Sequence, residues 1–502
     1  MKAYLLHADR DLDLELPLPA NAEALKQDLE LETLFDAMSR GDQYLRDLTE
    51  KVFLTSLTDP GEILYRQAIL RDCLGQPVVV RELYSLAVEA LESKRKAQHF
   101  WFRDTPDSLL RKSLRVLELL TDMLRRLRKL ADDHAAAFRS DGYTRFFSML
   151  ERDLADDYLD DVERYLSELE FRRGTLISAE LGRGNRGTSY VLRKPNERSL
   201  LDRIAPGGPA SYSFTIPARD EHGMESLGEL RGRGINLVAN ALAQSTDHIL
   251  SFFGMLRAEL GFYVACLNLQ EQLAEKGEPT CFPVPLPAES SVFSARRLYD
   301  ACLSFHLGSR VVGNDVDGDG KQLMLITGAN QGGKSTFLRS VGLAQLMMQA
   351  GMFVPAESLR ANVCAGVFMH FKREEDPSMT SGKLDEELGR MSEIADSIAP
   401  SGLLLCNESF ASTNEREGSE IARQVVGALV EAKVKVVYVT HLFDLADSFY
   451  RRGDSADALF LRAERLPDGK RTFRVLPGEP LPTSYGEDSY RRVFGKAKTP
   501  SL

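Results

Sequence analysis

Eight residues in the second half of the chain, Gly328-Ala329-Asn330-Gln331-Gly332-Gly333-Lys334-Ser335, carry the spacing G-x-x-x-x-G-K-S. Glycines at these places let a backbone curl round a phosphate chain, so that loop N–H groups and the start of the next helix point at the ligand. The lysine then reaches the β- and γ-phosphates, and the hydroxyl after it takes a Mg²⁺ position. The context is the required one. Leu323 to Ile326 is a short apolar run suited to a buried strand, and Phe337, Val341, Ala344 and Met348 follow in helical phase. A chance glycine turn before a helix is the plain alternative, and it leaves the full spacing unexplained. Gly328, Asn330, Gly332, Gly333, Lys334, Ser335 and Thr336 are therefore candidate contacts to ATP, with Ser335 also on Mg²⁺.

A second apolar run, Leu403 to Cys406, ends in Asn407-Glu408-Ser409. Nucleotide-hydrolysing sheets carry an Asp and then a Glu at such a strand end: the Asp holds Mg²⁺ through water and the Glu polarises the attacking water. Glu408 occupies the catalytic place, while Asn407 stands on the metal side. An amide oxygen can bond a magnesium-bound water but adds no negative charge, so nucleotide binding should survive and turnover should be slow. A third run, Val434 to Val439, ends in Thr440-His441, where an imidazole can sense the γ-phosphate. Glu408 and His441 are the candidate catalytic residues.

These three strand ends need a sheet to hold them level. From about Leu298 onward, strands and helices alternate in the pattern of an α/β sheet covered on both faces. The first half reads differently. Leu114, Leu117, Leu120, Leu124, Leu127 and Leu130 recur at steps of three and four, one face of a helix, with Arg125, Arg126, Arg128 and Lys129 at its far end. A long helix is expected from about Ser245 to Lys276, with Ile249, Phe252, Leu256, Leu260, Tyr263 and Leu267 on one face and Gly277 as its cap. Between them, Arg172 to Arg233 is rich in glycine, proline and arginine and reads as short segments or a small insertion. Pro279 to Pro287 reads as a connector.

Composition narrows the setting. The chain has 502 residues, a formal net charge of -11 and 43% hydrophobic residues, the make-up of an ordinary globular protein of several domains. No global basic field draws it to nucleic acid, so contact with DNA would need local basic patches. Six scattered cysteines without C-x-x-C spacing suit reduced, buried thiols and no zinc site. No basic segment followed by an apolar run opens the chain, and no uninterrupted apolar stretch approaches the roughly 18 residues needed to span a bilayer. A cytoplasmic protein with no membrane partner is expected.

The three strand ends in this order describe an ABC-type nucleotide-binding core, and the text around them resembles the MutS mismatch-repair family. Thr327 to Thr336 is similar to its T-G-P-N-M-G-G-K-S-T, and Gly351 to Ala356 to its G-x-x-V-P-A. Leu404 to Gly418 stands in the place of its D-E-x-x-x-G-T-x-x-x-D-G, and Val439 to Leu445 resembles its A-T-H-[YF]-x-E-L. Ser484-Tyr485-Gly486 matches its S-Y-G, and Leu57-Thr58-Asp59-Pro60 with Arg66-Gln67 looks like a stretch of its helical core.

The resemblance implies an α/β P-loop ATPase domain of the ABC type over 298–502, preceded by a mainly helical core and lever region over 1–297 with a clamp insertion near 172–233. It also implies head-to-tail homodimers in which a signature segment of one subunit closes the other's ATP site. Here that segment would run from Ser381-Gly382 to Glu387-Leu388, making Ser381 a further candidate contact. It departs from the family's S-T-F-x-x-E-M, as Asn407 departs from Asp. On this resemblance the chain is expected to lack the family's F-x-E wedge and the nuclease domain of some relatives, so mismatch recognition is not expected to be inherited. Two functions compete: an ATP-dependent DNA-binding protein acting as a dimeric clamp in repair or recombination, not mismatch-specific, and a nucleotide-gated scaffold that does not bind DNA. The arginines of 172–233 favour the first. The acidic charge and Asn407 favour the second.

Overall fold

A computed structural model describes residues 1–98, 105–172, 174–194, 212–373, 382–451 and 457–482. Ser381, Ser484-Tyr485-Gly486 and part of the glycine–arginine segment lie outside the described residues. The chain forms two compact units, one of residues 1–3, 78–139 and 143–260, the other of 4–77, 140–142 and 261–502.

The first unit is built on long helices. After α1 (Ala22–Asp28), α2 (Leu31–Ser39), α3 (Gln43–Leu54) and α4 (Pro60–Gly75) of the second unit come α5 (Pro77–Gln98), α6 (Pro106–His134), α7 (Asp141–Asp153) and α8 (Asp156–Leu169). Thr105 and Ser108 start α6 with a reciprocal capping box, which satisfies two orphan N–H groups. Its leucine face is buried as the spacing predicts, with Leu130 half-buried. The arginines at its far end are engaged: Arg125 with Asp160 and Glu163, Arg126 with Glu89, Arg128 with Asp132.

A hairpin of β1 (Leu176–Leu181) and β2 (Gly187–Arg193) precedes α9, which runs from Glu221 to Glu275. At 55 residues it reaches about 80 Å and begins 24 residues before the predicted start. Arg231-Gly232-Arg233 is therefore helix and not a turn. Gly234 serves packing, since a Cβ there would stand 2.4 Å from Ile177 Cδ1 of the hairpin, whereas one on Gly232 would make only ordinary contact with Pro106. Gly277 closes α9 at φ 69°, with its N–H on Ala274 O and the N–H of Glu278 on Leu273 O, the paired bonds of a Schellman cap. Part of α9 is apolar enough to cross a membrane by length and composition, yet most of that window is buried in the fold.

In the second unit, β3 (Val284–Leu286), β4 (Phe293–Leu298), α10 (Ala301–Leu307) and β5 (Asn314–Asp317) lead to β6 (Leu323–Gly328) and α11 (Lys334–Gln349). Then follow β7 (Ser358–Asn362), β8 (Val367–Phe371), α12 (Lys383–Ser397), β9 (Leu403–Asn407), α13 (Glu415–Glu431), β10 (Lys435–Val439), α14 (Phe443–Arg451), β11 (Ala458–Arg465) and β12 (Arg471–Pro477). Six strands form one sheet in the order β12-β11-β6-β10-β9-β8, parallel except for the edge strand β12. A second sheet orders β3-β7-β4-β5. The expected connector thus contains a strand, and this sheet draws on residues from both sides of position 298.

Two of the sequence stretches, far apart in the chain, meet in this unit. Leu57 and Gln349 exchange hydrogen bonds, N–H of Leu57 to Gln349 O at 2.9 Å and Gln349 Nε2 to Leu57 O at 2.9 Å. Arg66 is fully buried and donates to the carbonyls of Leu6 and Ala350. A Cβ on Gly351, itself at φ 79°, would stand 2.5 Å from Arg66 Cβ. The arginine on α4 and the glycine after α11 are one packing device.

Candidate active site

Parallel pairing of β6, β10 and β9 places their carboxyl ends side by side, the usual ligand edge of an open α/β sheet. The register keeps them level: Val439 stands opposite Ile326 on one side and Asn407 on the other. All three motifs therefore arrive at one place. Asn330, Gly332 to Thr336, Glu408 and His441 line one open pocket, and Gly328 lines the adjoining one with Thr440 and His441.

The loop after β6 turns on left-handed residues. Gly328 sits at φ 106°, where a Cβ would press on the backbone of Ala463, and Gly333 at φ 92° begins α11. No side chain caps that helix start, so its first N–H groups are left for a ligand. Lys334 is 5% exposed and donates from Nζ to Gly328 O at 3.0 Å and Ala329 O at 3.1 Å. Burial pushes its ammonium down to about 8, with Glu408 pulling it back up and Arg471 adding to the fall.

Ser335 Oγ donates to Asn407 Oδ1 at 3.0 Å, joining the two metal-side candidates directly. Glu408 holds a left-handed backbone, φ 56°, and its Oε1 lies 2.6 Å from His441 Nε2. That bond to His441 holds the carboxyl below its ordinary value against the opposing effect of burial, aided by the charges of His441, Lys334 and Lys372. Such conformations at non-glycine residues gather where the surrounding structure enforces them.

Two neighbours were not legible in the sequence. Arg471, at the start of β12, donates to Asn330 O at 3.2 Å and so shapes the glycine loop from a strand with no spacing signal of its own. Ser409 is fully buried, and its backbone carbonyl accepts from the Tyr438 hydroxyl at 2.6 Å, which fixes the residue next to Glu408.

Comparison with known proteins identifies the family. A family model described as MutS2 N-terminal domain matches residues 58–276, and one described as MutS domain V matches 324–485. The chain belongs to the MutS family. Its mixed sheets set among many helices fit a MutS-like fold. The chain is 27% identical over 355 residues to the DNA mismatch repair protein MutS of Chlorobium chlorochromatii, covering 66% of this chain and 40% of that one. It is 29% identical over 245 residues to Endonuclease MutS2 of Lacticaseibacillus casei, covering 48% and 30%. To MutS protein homolog 4 of Mus musculus it is 26% identical over 266 residues, covering 51% and 26%. The matched part is thus well under half the length of each of these relatives.

Proposed function

We propose that this MutS-type chain binds and slowly hydrolyses ATP at the joined strand ends, and that it works as a homodimer on DNA in repair or recombination without preferring mismatches. What supports the ATPase reading most is the meeting of Lys334, Ser335, Asn407, Glu408 and His441 on one pocket edge. On binding, the ammonium of Lys334 leaves two loop carbonyls for phosphate oxygens, and the uncapped start of α11 receives the remaining charge. Glu408 orients the attacking water once its carboxylate turns from His441, and His441 then faces the γ-phosphate. When bound, Mg²⁺ would neutralise charge on the phosphates. Ser335 Oγ and Asn407 Oδ1 are hard oxygen donors that fit it, but neither is charged, so the phosphates do most of the holding. Ser381 is proposed as the contact from the second subunit.

For DNA, the supporting observation is the hairpin turn, where Arg183 and Arg186 are exposed. A specific observation favours the scaffold alternative at three other described basic residues of the segment. Arg231 pairs with Asp107 at 3.1 Å, Arg233 lies 3.7 Å from Glu229, and Lys194 pairs with Glu168. Asp220 is engaged at the start of α9, where it accepts from the N–H of Gly223.

ATP hydrolysis by the parent and Glu408→Gln, alongside gel shifts on matched, mismatched and branched DNA, tests both halves. Turnover should collapse in the variant with ATP binding intact. Parent-rate hydrolysis in Glu408→Gln sinks the site, and no DNA binding at low salt gives the case to the scaffold.

A further inference from the structure

Behind the strand ends runs a buried polar chain that hydrolysis, as described above, does not use. His370 on β8 and Ser409 are both fully buried, and Glu387 on α12 is 3% exposed. His370 Nδ1 lies 2.6 Å from Ser409 Oγ, and Nε2 lies 3.0 Å from the backbone carbonyl of Glu387. The ring also stacks on Phe410 at 5.5 Å between centroids. A second connection runs parallel to the first, since Ser412 Oγ donates to Glu387 Oε1 at 2.8 Å. Helix α12 therefore holds the segment 408–412 at two points, one through the imidazole and one through its own carboxylate.

The tautomer of the ring follows from its neighbours. A carbonyl only accepts, so Nε2 must carry the hydrogen toward Glu387 O. Burial keeps the ring uncharged, its pKa lowered to about 4, so Nδ1 is bare; the Ser409 hydroxyl stands 2.6 Å from Nδ1 and 2.8 Å from the backbone carbonyl of His370, and its one hydrogen is shared between these two acceptors. The segment needs this support: Glu408 and Phe410 both have left-handed backbones, at φ 56° and 61°. A Cβ on Gly418 would stand 2.4 Å from Phe410 O, so the start of α13 lies close against the turn.

We propose that His370 is a positioning residue for Glu408, joining the strand-end segment to α12 through Ser409 so that the pose of the carboxylate depends on where α12 sits. This rests on the ATPase reading of the site. His370→Phe keeps an aromatic ring for the stack, in a somewhat larger side chain, while removing both hydrogen bonds of the imidazole. His370→Asn keeps an acceptor for Ser409 but cannot reach Glu387.

Turnover per folded molecule should fall about 10- to 100-fold in His370→Phe, since misplacement by an ångström costs that much. ATP affinity should stay within about twofold, the signature of a group that acts only on the chemical step. His370→Asn should recover part of the rate. Ser409→Ala should slow turnover too, and adding it to His370→Phe should do little more, because the two act in series. A residue that only fills the core would lower the melting temperature and leave kcat alone. Glu408→Gln run beside these variants separates the failures. If it abolishes turnover while His370→Phe and Ser409→Ala keep the parent kcat, the positioning role is overturned and the site stands. If Glu408→Gln hydrolyses ATP at the parent rate, the site reading fails and the positioning role with it. Should His370→Phe not fold, His370→Asn and Ser409→Ala decide by the same kcat criterion.

Discussion

Raising the pH from 7 to 9 is expected to weaken ATP binding about tenfold, a loss of about 1.4 kcal/mol, through one ammonium group. Lys334 is nearly closed off from water, and burial holds its pKa at about 8 in the free protein. The sign follows from which form binds. The charged form meets phosphate, it is present below that value, and it is lost as pH rises through it. Treated as a single titration, roughly nine-tenths of the molecules are charged at pH 7 and one-tenth at pH 9, and apparent affinity scales with that fraction. Bound phosphate should hold the proton on, so ATP binding near pH 8 should take up about half a proton per site. Calorimetry in buffers of different ionisation enthalpy reads that uptake, and a fluorescent nucleotide titrated across the pH range reads the affinity. Lys435 provides the control. It is buried elsewhere, on Val292 O and Asn362 Oδ1, and is also pushed down to about 8. Lys435→Met should therefore leave the pH profile of binding in place, and Lys334→Ala should remove both the affinity and its pH dependence. An affinity that is flat from pH 7 to 9 in the parent would refute the argument, because the ammonium could not then be what the phosphates meet.

Asn407→Asp should tighten Mg²⁺-dependent ATP binding and speed turnover, since it puts a charge beside Ser335 Oγ, as magnesium titrations would show. Gly351→Ala should destabilise the fold by about 2–3 kcal/mol in denaturant melts, combining a left-handed backbone with a Cβ driven against buried Arg66. On duplex DNA, Arg183→Ala with Arg186→Ala should reduce the slope of log affinity against log salt by about 1.8, two phosphates' worth. Arg231→Ala with Arg233→Ala should change it less, because those side chains face Asp107 and Glu229. Equal slopes for the two pairs would mean that the ion pairs open on DNA.

How much of this was legible in the sequence depends on how local the signal is. The loop at Gly328–Ser335 and the strand ends at Glu408 and His441 announce themselves because spacing along one strand–turn–helix unit fixes where each side chain goes. The leucine face of α6 is legible for the same reason. Arg231-Gly232-Arg233 misled because glycine usually breaks helices, whereas here Gly234 is the space that Ile177 fills, and no neighbour in sequence reports a neighbour in space. Arg66 and Gly351 read as two unrelated short likenesses until packing joined them. His370 left no trace at all, since a histidine inside an apolar strand reads as one more core residue. Its partners lie 17 and 39 positions away, and only the parallel pairing of β8 with β9, which sets His370 opposite Cys406, brings it behind Glu408. Residues that touch a ligand tend to sit in motifs, because phosphate geometry constrains their spacing. A residue that holds them in place answers only to the fold.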